Sequence, residues 1–228
     1  VFKFYLQAWI LFALSAGVCF VWLLKSLRYW RKHLGLVWKI SLLVLFFSAA
    51  MFTVMGTKDK INDRIAPEAP QGLDGMAYMA YSTYYDMGSN MQLVEDDDAI
   101  RWMQDHIEGS PVILEGQAYE YRWGARYTIY TGLPGVVGWN WHQRQQRAVL
   151  RNSVVQERVN RVDTFFSTED IQYAVDFIRA YDVTYIVVGQ LEQAFYPQAG
   201  LAKFSNYDGQ LWDAVYRVGS TTIYQVRK

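Results

Sequence analysis

No aspartate or glutamate occurs in the first 56 residues of this 228-residue chain, although 22 follow later. Six basic side chains occupy the same stretch: Lys3, Lys25, Arg28, Arg31, Lys32 and Lys39. Charge of either sign is missing from Phe4–Leu24, and Leu36–Gly56 carries only Lys39. As helices, runs of this length cross about 30 Å of hydrocarbon. They are apolar all round, which argues against the amphipathic hairpin of a soluble fold. The first run is also too long for the core of a cleaved signal peptide. The expected arrangement over 1–56 is a transmembrane helical hairpin, with spans at about 4–24 and 36–56 and a basic turn at 25–39. Short Lys/Arg-rich loops stay cytoplasmic, so the turn is expected inside and residues 57–228 outside. Trp30 and Trp38 suit the cytoplasmic interface.

Other absences narrow the chemistry. Cys19 is the single cysteine, which excludes a disulfide within the chain and a cysteine-based metal site. The three histidines, His33, His106 and His142, have no second His or Cys at ligand spacing, so no metal site is expected. Neither span holds a histidine, which excludes axial His ligation of haem or a chlorin within the hairpin. Residues 57–228 contain 16 basic and 22 acidic side chains, net −6. They lack the basic stripe that nucleic-acid binding needs, so no nucleic-acid partner is expected. The glycine-rich stretch Thr131–Gly138 lacks a P-loop lysine and a strand–helix setting. No cofactor is evident. The chain opens on Val1 rather than methionine and is expected to be part of a longer protein.

What is present after the hairpin reads as one domain. Thr57–Arg64 is a polar exit. Ile65–Gln92 mixes Pro and Gly loop signals with tyrosines and methionines, and 57–92 is expected to be an aromatic juxtamembrane linker packed on the membrane surface or on a partner domain. From 93 to 228 the pattern is α/β. Glu95–Ile107 predicts a helix, with Asp96–Asp98 as its solvated start. Val112–Glu115 and Tyr127–Tyr130 are candidate strands. Ser167, with Asp170 three residues on, marks a helix start, and Ile171, Ala174, Val175 and Ile178 form its apolar stripe. Val183–Val188 is a β-branched strand closed by Gly189. Leu211–Val218 and Thr221–Val226 flank Gly219-Ser220 as a hairpin. The fold class expected is a membrane-anchored α/β protein: two transmembrane helices, then one extracytoplasmic α/β domain with a small sheet.

Two clusters could carry chemistry. Glu115 leaves a strand end and is followed by Tyr119, Tyr121, Arg122 and Arg126; a carboxylate there is a common site position, although the plainer account is a structural ion pair with one of the arginines. Residues 139–147 hold Trp139, Trp141, His142, Arg144 and Arg147, which offer stacking faces and anion-binding forks suited to a sugar or phosphate. The bland account is a surface helix docked on lipid or on other helices. The candidate binding patch is Trp139, His142, Arg144, Arg147, Glu115 and Arg122, placed close to the membrane surface.

Five ordered motifs carry a resemblance: Leu73-Asp-Gly-Met-Ala-Tyr-Met79, Val112-Ile-Leu-Glu115, the stretch from Thr131-Gly-Leu-Pro-Gly to Trp139 and His142, Tyr185-Ile-Val-Val-Gly-Gln-Leu-Glu192, and Gly200-Leu-Ala-Lys-Phe204. Over about residues 70–228 the chain resembles the C-terminal part of the large YYY membrane proteins of Chloroflexi-type bacteria and archaea, a family of unknown function. The resemblance implies a multi-pass bacterial cell-membrane protein similar to GT-C glycosyltransferases, which use polyprenyl-phosphate sugar donors outside the cytoplasm. It implies the bilayer and further transmembrane helices, of the same or other chains, as partners. Gln143 stands where the family has Glu after the motif histidine. The acidic first outer loop of GT-C enzymes lies outside this chain, so no catalytic residue carries over. The alternative is a structural or accessory subunit of a larger membrane assembly, without catalysis of its own.

Overall fold

A computed structural model describes residues 2–65, 67–151 and 153–227. Val1, Ala66, Asn152 and Lys228, which fall within the expected hairpin, linker and domain, lie outside the described residues. The chain divides into two compact units, Val1–Ile65 and Ala66–Lys228.

In the first unit, α1 (Phe2–Ser26) leads through a short 3-10 turn at Leu27–Tyr29 to α2 (Lys32–Arg64). Both are long and apolar enough to cross a membrane. Their large apolar side chains face outward, as a lipid-solvated hairpin requires. The Trp38 ring lies 6.4 Å from both Phe20 and Trp30, joining the two helices. α2 runs further than the second span expected to end at 56. No proline follows until Pro67, so nothing in Thr57–Arg64 stops the helix.

The second unit contains a small hairpin, β1 (Thr83–Asp86) and β2 (Ser89–Gln92), followed by α3 (Leu93–His106) and β3 (Val112–Leu114). Next come α4 (Arg126–Thr131), α5 (Asn140–Gln146), α6 (Ser153–Ser167) and α7 (Ile171–Tyr181). β4 (Val183–Val188), α8 (Gln190–Phe195), α9 (Gln198–Asn206), β5 (Trp212–Val218) and β6 (Thr221–Val226) complete it. The main sheet has the order β3-β4-β6-β5, parallel between β3 and β4 and antiparallel elsewhere.

Both sheet faces are covered, and the strand period of two sorts the core. Leu114, Ile186, Val188 and Tyr224 pack with Phe165 and Phe166 of α6, Phe177 and Ile178 of α7, and Phe204 of α9. Ile113, Val187 and Ile223 pack on the other face with Ile100 and Met103 of α3 and Tyr127 of α4. The expected strand at 183–188, the helix ending at Tyr181 and the terminal hairpin are all present.

Three expectations need correction. Tyr127–Tyr130 is helical, because Glu115 accepts the amides of Tyr127 and Thr128, both at 2.9 Å, and supplies a carboxylate at the helix start. Residues 57–92 are more than a linker: they contain the end of α2 and the β1–β2 hairpin, and Met79 and Met91 are buried within the second unit. Asp96 and Asp97 are buried, and of the acidic run only Asp98 is solvated. A smaller shift concerns the start of α7: Asp170, not Ser167, is the cap, its carboxylate accepting from Gln172 and Tyr173.

Candidate functional site

Beneath the candidate patch lies a buried ionic knot. Arg126, 1% exposed, donates through Nε to Asp96 at 2.8 Å and through Nη2 to Glu192 at 3.0 Å. Asp96 also accepts from the Trp123 indole at 2.7 Å and the Tyr127 hydroxyl at 2.9 Å. Glu192 accepts from the amides of Gly116 at 2.8 Å and Gly189 at 2.9 Å. Glu115 stands 4.0 Å from the Arg126 guanidinium and bonds instead to Tyr127 and Thr128.

The two glutamates therefore diverge. Burial pushes Glu115 above its ordinary range, only partly offset by Arg126 and Thr128. Burial also opposes the charge of Glu192, but direct contact with Arg126 and two amides holds it below its ordinary range. Burial works against Arg126 too, and Asp96 and Glu192 overcome it and hold the guanidinium charged. Glu115 is thus a helix-capping and loop-shaping group. The structure does not bring it to the patch surface.

The knot fixes the loop that follows β3. Glu192 pins Gly116, and the Tyr196 hydroxyl accepts the Gln117 amide at 2.8 Å. Tyr121 and Ala125 adopt left-handed φ of 63° and 55°, so the chain reverses sharply and presents Tyr119 and Tyr121 outward. Opposite them, α5 follows Gly138, whose φ of 68° needs no side chain. The Trp139 indole donates to the Gly124 carbonyl at 3.2 Å, tying the two segments together.

Between the segments is a shallow pocket, about 30 Å³ of room within some 370 Å³ that includes open solvent, lined among others by Tyr119, Tyr121, Arg122, Trp139, Trp141 and His142. The structure thus brings Arg122, Trp139 and His142, from both sequence clusters, to one pocket. The Trp139 and His142 ring centroids are 4.9 Å apart. Arg122 pairs with Asp86 at 3.5 Å. Both tryptophans are more than one-third exposed, so neither is a core residue. Arg144 lines a second, adjoining cleft and lies 5.8 Å over the Trp141 ring. Arg147 lines neither; it bonds Gln143.

Asp96, Glu192, Asp163 and Tyr196 are site-supporting residues that sequence reasoning missed. A usable signal existed for Asp163, which falls four residues after Val159 on the buried stripe of α6, an unusual place for an acid. Glu192 closes the Tyr185–Glu192 motif three residues after Gly189, but nothing in the sequence shows its pairing with Arg126.

No family model matches the chain, and no curated protein matches it. Among solved structures, the C-terminal globular domain of an oligosaccharyltransferase from Archaeoglobus fulgidus is similar at 12% identity, covering 57% of this chain and 96% of that one, with a TM-score of 0.38.

Proposed function

We propose that this chain is the C-terminal portion of a polytopic membrane protein of the GT-C-like, YYY kind, with residues 57–228 outside the cytoplasm. Its smaller pocket holds the sugar-phosphate end of a polyprenyl-phosphate-linked substrate. The observation that carries this reading is the meeting of Arg122, Trp139 and His142, distant in sequence, at one pocket with Tyr119 and Tyr121. Guanidinium forks take phosphate, and aromatic faces take sugar rings. The accessory alternative draws its support from Gln143, which bonds Arg147 and offers no carboxylate for acid–base work.

Binding of a polyprenyl phosphate hexose to the full chain in nanodiscs, followed by tryptophan fluorescence, tests the pocket. Trp139→Ala is expected to weaken it about tenfold, the loss of one good stacking face. Unchanged binding in that variant would remove the pocket from the reading. The topology is tested by Ser205→Cys, at an exposed position on α9: an impermeant thiol reagent is expected to label intact cells. Labelling only after lysis places the domain inside.

A further inference from the structure

Beside the pocket lies a larger and more polar cleft of about 950 Å³, open space included, which shares Tyr119, Glu120 and Asn140 with it and adds Arg144, Gln156 and Asp163. Two of its groups are incompletely matched. Asp163 Oδ1 accepts the Tyr196 hydroxyl at 2.9 Å; among the described residues its Oδ2 has no protein donor. Arg144 Nη2 donates to Glu120 and Asn140, both at 3.2 Å, but its buried Nε has no partner among the described residues. Burial raises the Asp163 carboxyl above its ordinary range, and among the described residues no cation pairs with it.

The cleft therefore presents an open carboxylate oxygen on Asp163 and the guanidinium edge of Arg144, whose enclosed Nε is itself out of a ligand's reach. A phosphate would satisfy Arg144 but would meet the Asp163 carboxylate, which the smaller pocket lacks. An ammonium would satisfy Asp163 but would meet Arg144. A hydroxyl donates and accepts at once. Tyr119, 67% exposed and 6.2 Å from the Phe195 ring, supplies an apolar face above these groups. We infer that this cleft binds an uncharged saccharide, with ring hydroxyls between Asp163 and Arg144 and a ring face on Tyr119. It is the acceptor-side or distal-sugar subsite of the same face, an assignment that rests on the sugar-handling reading of the neighbouring pocket.

The test is calorimetric titration of the full chain in nanodiscs with three neutral probes, maltotriose, mannotriose and tri-N-acetylchitotriose, and with inorganic phosphate. At least one trisaccharide is expected to bind in the millimolar range, and phosphate is expected not to bind here. Asp163→Asn and Arg144→Gln should each weaken the trisaccharide about tenfold, the loss of one charged hydrogen bond, with thermal unfolding unchanged. His142→Ala should leave trisaccharide binding within about twofold, since it lines only the smaller pocket. Failure of all three trisaccharides to bind overturns the inference. So does phosphate binding that Arg144→Gln abolishes, or saccharide binding that His142→Ala abolishes and Asp163→Asn leaves intact. Should the trisaccharide bind as expected while the polyprenyl phosphate hexose does not, the proposed function falls and the saccharide cleft stands.

Discussion

Arg126 is surrounded by more negative charge than it can neutralise. Asp96 and Glu192 contact it directly, and Glu115 stands at the edge of its reach. Removing the cation by Arg126→Met would strand buried carboxylates, and breaking a buried pair in this way costs about 3–5 kcal/mol. A thermal midpoint within a degree or two of the parent would show the knot to be dispensable. The pH dependence follows from Glu192. Its folded carboxyl titrates below its ordinary 4.5, so it stabilises the fold above that value, and the contribution is lost as pH falls through the folded value. Glu192→Gln is therefore expected to lower stability at neutral pH and to flatten the acid limb of the stability profile. An acid limb as steep as the parent's would mean that other groups set it.

Lys203 poses the opposite case. Its ammonium, 3% exposed, donates to the carbonyls of Phe166, Thr168 and Gly200. Burial nevertheless lowers it from 10.5 to about 8. Between those values the unfolded chain keeps the proton longer than the folded one, so this residue makes stability rise with pH across that window. The difference in unfolding free energy between the parent and Lys203→Met, measured across it, should follow that slope. A flat difference would show the carbonyls to outweigh burial.

Among the elements, α7 and β4 are the most legible, and their packing is the most predictable. The stripe of α7 repeats at helical spacing, and β4 is a run of β-branched residues that needs burial on both faces. Phe177, missing from the expected stripe, is 1% exposed and touches Phe165 and Tyr181 rings. Phe177→Ala is expected to cost about 3–5 kcal/mol, against about 2–3 for Ile178→Ala, which is 8% exposed. Equal costs in urea unfolding would put the helix in a different roll. α4 was illegible for a physical reason. Tyr-Thr-Ile-Tyr has strand propensity, and the carboxylate that turns it into a helix start comes from Glu115, on another element. The candidate site divides the same way. Its aromatic and cationic members show in composition; their meeting at one pocket depends on the Tyr121 and Ala125 reversals and on Tyr196 holding Gln117. The buried fate of Asp96 was equally hidden, since its partners Trp123, Arg126 and Tyr127 lie far along the chain.

For the molecule as a whole, charge and polarity separate at the boundary between its two units. The hairpin side is basic and lipid-soluble, and the domain side is acidic. Two helices with their apolar side chains outward have no aqueous resting place, so the chain is expected to stay in the membrane fraction after alkaline carbonate extraction. Release into the supernatant would overturn the anchoring.

The parallel pairing of β3 with β4 also sets the order in which this domain can come into being. Val112 finds its partner only at Val183, and closing so long a loop is entropically slow. During synthesis Arg126 emerges with Asp96 and Glu115 already made, but Glu192 and both strands of the final hairpin are still to come. A nascent chain stalled before Val183 thus has the β1–β2 hairpin but no main sheet, and an arginine missing one of its two contact anions. The main sheet therefore cannot close until Val183–Val188 and Thr221–Val226 have both been made.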